Sequence, residues 1–218
     1  MSSEVRERLV EAAACLFGAE GVEGVSLREV NVAAATGNAS AVQYHFGDRK
    51  GLVRAVLDRH RPAVEERRHA LLDAYEAAGR DDMRALTAAF VRPLVSELAT
   101  PAGQGYLQLL ADLVNRPKPV LDPADIHDST TSTSTNRWRV LLEPLMDPTA
   151  VAMHRRFLAM QFTFTELARR GRDRPGKDHQ LFASHLIDLV TAMLAAPISE
   201  ETARQLTRPR DATGKDPV

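Results

Sequence analysis

Residues 38–52 read NASAVQYHFGDRKGL. A tyrosine, a histidine and a phenylalanine stand side by side, followed by a glycine, an acid and two bases. The chain has only three tyrosines, so one placed beside a helix start needs a reason. Gly47 breaks the helix before it. Asp48 is a good N-cap for the next helix, which carries Leu52, Val53, Val56 and Leu57 inward. The short helix before the glycine is expected from about Asn38 to Tyr44.

Upstream, Val5, Leu9, Ala12, Ala13, Leu16 and Phe17 recur at helical spacing. Gly21 is the expected end of that first helix. Ser26 and Glu29 have capping-box spacing, so a second helix starts at Ser26 and runs to about Ala34. The stretch ATGN then turns the chain. All twelve prolines lie at or after position 62, leaving the first 61 residues free to be helical. Pro62 is expected to kink or end the fourth helix. The second and third helices thus form a helix–turn–helix pair, a common way to set a short helix into a DNA major groove.

Composition neither supports nor opposes that reading. The chain has 218 residues, 44% hydrophobic and 26% charged, with a net charge of −1. This fits a globular protein. Residues 1–60 carry seven bases and eight acids, so no basic domain announces itself. A nucleic-acid function must rest on where the bases sit. Cys15 is the single cysteine, which rules out an internal disulfide and suggests a reducing compartment. The charged N-terminus has no signal-like apolar core, and no apolar run approaches 18 residues. A cytoplasmic protein is expected, without a membrane partner.

The remainder is also helical by pattern. DMRALTAAFVRPLVSELA and AGQGYLQLLADLVN have 3.6-residue periodicity, with Pro93 as a kink in the first. Residues 117–136 form a polar, low-complexity loop. RWRVLLEPLM resumes helix, and two helices of about five turns follow, at about 149–170 and 178–196. Both are apolar over more than one face. FLAMQFTF, residues 157–164, is apolar nearly all round. A surface helix needs one stripe, so these two helices are expected to pair with a second copy as a four-helix bundle, in a homodimer. The expected fold class is all-α. An N-terminal three-helix domain, residues 1–58, precedes a larger helical domain, 59–206, and a disordered tail, 207–218.

In such a pair the start of the first helix offers N–H groups to a phosphate. Ser26, Leu27 and Arg28 stand there. On the second helix Asn38, Ser40 and Gln43 can hydrogen-bond base edges. Ala39 and Ala41 can touch a thymine methyl or admit the backbone. Tyr44 and His45 at its end can reach phosphate oxygens, as can Arg49 and Lys50 in the next helix. Cations in that first turn oppose the helix dipole, a mildly unfavourable placement that an anionic partner would offset. Phe46 is expected to plug the core.

The stretch AAACLFGAEGVEGVSLREV…AAATGNASAVQYHFGDRKGLVRAVL resembles the DNA-binding domain of the TetR family of transcriptional repressors. The resemblance covers about residues 5–58 and rests on LFGAEGVEGVSLREV, the YHF end of the third helix, and GDRKGL. Three positions depart from the family pattern. The turn AAATGN is one residue longer, Asn31 takes a place usually small and apolar, and Arg49 stands where lysine is usual. The resemblance implies a homodimer that binds a palindromic double-stranded DNA operator and is released by a small hydrophobic effector.

Candidate effector-pocket residues are Phe90, Tyr106, Leu109, Leu110, Leu113, Trp138, Phe157, Gln161 and Phe164, which combine apolar bulk with a few polar groups. Each of them also fits an ordinary core. No cofactor, catalytic residue or metal site is expected, because no GxSxG, Walker A or GxGxxG motif and no metal-ligand spacing occurs. Cys15 is expected to be a buried structural thiol. Serine and threonine in 129–135 read as linker. The competing reading is an all-helical small-molecule-binding or scaffold protein that no longer reads DNA.

Overall fold

The computed structural model describes residues 2–38, 40–115, 133–173 and 178–207. Among the described residues there is no strand, in accord with the all-α expectation. The helices are α1 Ser2–Gly24, α2 Leu27–Ala33, α3 Ala41–Phe46, α4 Arg49–Ala78, α5 Met83–Val95 and α6 Pro101–Asn115. After residues 116–132 come α7 Ser134–Leu142, α8 Pro148–Ala152, α9 Arg155–Asp173, α10 Gln180–Ala195 and α11 Glu200–Thr207.

Local chemistry explains most of the boundaries. Gly21, at φ 75°, breaks the helical dihedrals where the first helix is expected to end, but α1 resumes beyond it and runs to Gly24. The α2 capping box is complete: the Ser26 hydroxyl accepts from Glu29 N–H at 3.2 Å, and the Glu29 carboxylate accepts from Ser26 N–H at 2.6 Å. The Asp48 carboxylate caps α4 by accepting from Gly51 N–H at 2.8 Å. Helix α4 does not end at Pro62. The proline removes one backbone donor, and the helix runs on to a left-handed cap at Gly79. The domain boundary expected at residue 58 therefore falls inside one continuous helix.

Other expectations need correction. The long helix expected over 149–170 is two helices, because His154 turns left-handed at φ 56° between α8 and α9. The loop expected over 117–136 ends sooner than its composition suggests. Thr133 caps α7 by accepting from Asn136 N–H at 3.2 Å, so residues 134–136 are the first helical turn. Residues 116–132 lie outside the described residues. So does the expected tail from residue 208; Thr207 closes α11.

Helix α1 packs along α6, and α6 along α9; α5 lies against α4 and α10, with α7 against α4 and α5. The core is continuous from Leu9, Phe17, Val30, Leu52 and Val56 through Leu72, Leu86, Phe90 and Leu94 to Leu107, Trp138 and Leu186. Between α1 and α6 the backbones touch. A Cβ on Gly105 would lie 1.7 Å from the Ala14 carbonyl oxygen, and one on Gly18 would lie 2.7 Å from the Gly105 Cα. Neither clash is with a flexible side chain, so neither yields without moving a helix. Gly105→Ala should therefore lower stability by roughly 1–3 kcal/mol, an overpacking cost. Its urea midpoint should fall while the m-value is unchanged; an unchanged midpoint would mean that α1 and α6 are not held at this distance.

Candidate nucleic-acid interface

Helices α2 and α3 are joined by residues 34–40. Two of these, Ala35 (φ 49°) and Gly37 (φ 65°), are left-handed. Asn31 organises the turn from the buried side of α2. Its side-chain oxygen accepts from Val42 N–H at 3.1 Å, satisfying an otherwise unpaired donor in the first turn of α3. Its backbone carbonyl accepts from the Thr36 hydroxyl at 3.3 Å. The polar residue that departs from the family pattern is thus the brace between the two helices. The Asn38 side chain accepts from Ser40 N–H at 2.9 Å and closes the turn from the other end.

The start of α3 therefore differs from the expectation. The helix begins at Ala41, not Asn38, and continues through Phe46. Asn38 and Ser40 are exposed turn residues rather than helical ones, and Ala39 lies outside the described residues. Ala41 and Val42 are buried against the core, so the Ala41 methyl is not available to a thymine. Gln43 is exposed, and Tyr44 is 82% exposed, the extreme for an aromatic side chain here. His45 is half-buried edge-on to Tyr44, with ring centroids 5.0 Å apart. Phe46 is half-buried beneath Arg6, packed against the core as expected.

Two expected phosphate contacts also change. Arg49 is half-buried, and its guanidinium donates to the Val22 carbonyl, which ties α4 to the end of α1. It is partly committed inside the protein, whereas Lys50 is exposed. At α2 the Ser26 N–H is taken by Glu29, whose carboxylate these hydrogen bonds hold below the usual carboxylate range. A phosphate at this helix start would rely on the next N–H groups, of Leu27 and Arg28. The Arg28 side chain is exposed and Leu27 is partly buried.

The expected effector residues divide. Phe90, Tyr106, Leu109, Trp138 and Phe164 are buried. Phe90 stacks on Trp138 at 4.5 Å and tilts against Phe164 at 5.9 Å. The Trp138 indole donates to the Leu86 carbonyl at 2.9 Å. Leu110 and Leu113 are half-buried at the edge of the core. Gln161 donates to Asn115 at 2.6 Å on the surface side. Phe157 is 48% exposed and does not join them, because the break at His154 places it on the outside of α9.

Sequence reasoning passed over the polar groups in this region. Arg68 on α4 is buried at 3% exposure and donates to Ser134 at 2.9 Å and Thr135 at 3.0 Å. These two are structural partners, not linker. Nearby, His60 stacks on Tyr106 at 4.9 Å and meets Glu97 at 2.7 Å, and Glu97 also takes Arg67 at 3.1 Å. Burial pushes the Tyr106 hydroxyl up to about 12. The signal for Arg68 was its place within the inward register of α4, masked by a run of charged neighbours. Cys15 is exposed rather than buried. Partial desolvation and the Glu11 carboxylate push its thiol up, which keeps it protonated. Among the described residues no group of three histidine, cysteine or acidic side chains could hold a metal, and no single helix is long and apolar enough to cross a membrane.

No family model and no curated protein matches the chain. Solved structures do. PfmR, a TetR family transcriptional regulator from Thermus thermophilus, superposes with a TM-score of 0.53 at 18% identity, over 89% of this chain and 98% of that one. A protein solved for the molecular basis of control of antibiotic production by bacterial hormones gives 0.52 at 18% identity, over 88% and 97%. The chain has the fold of a TetR family regulator. The likeness runs through the C-terminal helices as well as through α1–α4, where the sequence resemblance stopped.

The brace can be tested directly. Asn31→Ala leaves the Val42 N–H buried without an acceptor and should cost roughly 1–3 kcal/mol. Amide exchange at Val42 should accelerate more than at Leu52 in α4. Equal acceleration at both would show that Asn31 acts on the whole domain and not on the turn.

Proposed function

We propose that the chain is a transcriptional regulator that binds a palindromic double-stranded DNA operator as a homodimer and is released by a small molecule held among its C-terminal helices. The observation that carries this reading is the outward surface of α3. Gln43 and the 82% exposed Tyr44 stand beside the turn residues Asn38 and Ser40, with Arg28 and Lys50 exposed on the flanking helices. An exposed tyrosine next to amide and hydroxyl groups, flanked by cations, suits base edges at the centre and phosphates at the rim. On this reading residues 1–58 read DNA and 59–206 bind the effector and the second copy. Helix α4 and the α1–α6 contact join the two.

The partner surface is assigned to α9 and α10, which pack side by side. Phe157 (48%) and Leu158 (52%) on α9 are exposed, as are Leu181 (83%) and Leu189 (40%) on α10. Large apolar side chains on two adjacent helices favour burial against a second copy. Leu181→Glu combined with Leu189→Glu should give the monomer mass by light scattering and abolish operator binding at concentrations where the wild type binds. A dimer that survives both charges would move the interface elsewhere.

Selection of bound duplexes from a random pool tests DNA reading. The wild type should recover a palindrome and Tyr44→Ala should not. On that palindrome Gln43→Ala should cost roughly 1–3 kcal/mol and relax preference at one position. Lys50→Ala should weaken all sequences alike and flatten the salt dependence by about one unit. A Gln43→Ala protein that loses affinity uniformly would mean that α3 does not face the bases. No enrichment by the wild type, even after unfolding and refolding to strip a bound ligand, would favour the scaffold reading.

A further inference from the structure

The buried guanidinium of Arg68 is incompletely neutralised. Its Nη1 donates to two neutral hydroxyls, Ser134 and Thr135. The carboxylate within ion-pair range is Glu65, whose nearer oxygen stands 3.7 Å away, beyond a hydrogen bond, while its other oxygen accepts from Ser134 N–H. The Glu97 carboxylate is already shared by His60 and Arg67. The Arg68 Nε is fully enclosed and has no acceptor. A buried cation normally has a carboxylate in hydrogen-bond contact, because neutral acceptors replace only part of its lost hydration. The guanidinium also lies over the Phe90 ring, 5.2 Å from its centroid, and Phe90 stacks on Trp138 and leans on Phe164. A planar donor group with an unpartnered Nε thus lies against the aromatic cluster.

We propose that Arg68 anchors a small organic carboxylate, with the acid on the Nε edge and the apolar body against Phe90, Trp138 and Phe164. This rests on the reading of the chain as a ligand-responsive regulator and names the chemical class of the ligand. A carboxylate fits because its two oxygens match the guanidinium edge geometrically and supply the missing charge. The aromatic cluster is closely packed, so the ligand displaces rings as it enters. Those rings belong to α5, α7 and α9, and Arg68 to α4, so that displacement acts on the helix that leads into the DNA-reading end.

Trp138 is the single tryptophan of the chain and belongs to the proposed wall, so its fluorescence reports on the site directly. The experiment titrates the full-length protein with hexanoate, phenylacetate, salicylate and 1-naphthoate, and with the methyl ester of each. Trp138 emission is followed where the ligand does not absorb, and the melting temperature is followed for all. At least one acid should change the emission and raise the melting temperature by about 5 °C at about a hundredfold excess over its Kd. Its ester should do neither, and Arg68→Gln should weaken the acid at least tenfold. If Arg68→Gln does not fold by near-ultraviolet circular dichroism, the comparison of acid with ester in the wild type decides alone. Equal effects of acid and ester, or no effect from any of the four acids up to their solubility limits, overturns the proposal. Operator binding is scored separately on the unliganded wild type. Its absence would defeat the regulator reading while leaving an acid response at Arg68 standing.

Discussion

Much of this architecture depends on the contact of two backbones. Gly18 and Ala14 on α1 meet Gly105 on α6 with no room for a Cβ on either glycine. At that distance the helices are held by close packing over their shared length. Rigid packing has few intermediate positions. A shift of α6 cannot be absorbed by side-chain rearrangement at the crossing, so α1 must move with it. Helix α4 supplies the second link, because it crosses from the α2–α3 end to the core of the larger unit without a break. On the proposed function, two stiff connections of this kind are the route by which a change among the C-terminal helices would alter where α2 and α3 point.

The features legible in the sequence were those with a short-range cause. The α2 capping box needs residues three apart, Ser26 and Glu29, and the α4 cap needs Asp48 and Gly51. The break at Gly21 is a property of glycine itself. The start of α3 was not legible, because its first-turn donor is satisfied by Asn31, eleven residues earlier in the chain. The same holds for α7. Its start looks like low-complexity linker until Glu65 and Arg68, on a helix distant in sequence, are seen to hold Ser134 and Thr135. Pro62 and His154 show the converse. A proline expected to kink or end a helix lies inside α4, both halves of which are packed against the core. A histidine with no breaking signature turns left-handed between α8 and α9.

The candidate site was legible in outline for a similar reason. Exposed residues on α3 are recognisable because nothing in a local pattern requires a tyrosine or a glutamine to face solvent there. Their partners within the protein are tertiary facts. Arg49 has the sequence of a free cation and the position of a strut to Val22. Ala41 has the size to approach a base and is spent on the core. In the larger unit, apolar bulk marked Phe90, Trp138 and Phe164 correctly as interior. It also marked Phe157, which the break at His154 turns outward. Hydrophobicity reports that a side chain prefers burial and says nothing about what covers it.

Charge placement reconciles a near-neutral N-terminal segment with the proposed DNA-reading surface. Affinity for a duplex depends on cations that come within contact range of phosphates, and distant acids are screened over about 10 Å at ordinary salt. Arg28 in the first turn of α2 and Lys50 in the first turn of α4 are both exposed. Among the nearer acids, Glu29 is held in the capping box and Asp48 caps α4, so each is partly neutralised by backbone N–H groups. Their remaining field still opposes a phosphate. On the proposed function the consequence is a surface of modest non-specific affinity, in which contacts by Gln43, Tyr44 and the turn residues would carry a larger share of binding than on a strongly basic domain. On that reading such a surface would gain more from dimerisation than a basic one does, since two weak half-site contacts become one strong one only when a second copy holds them at the right spacing.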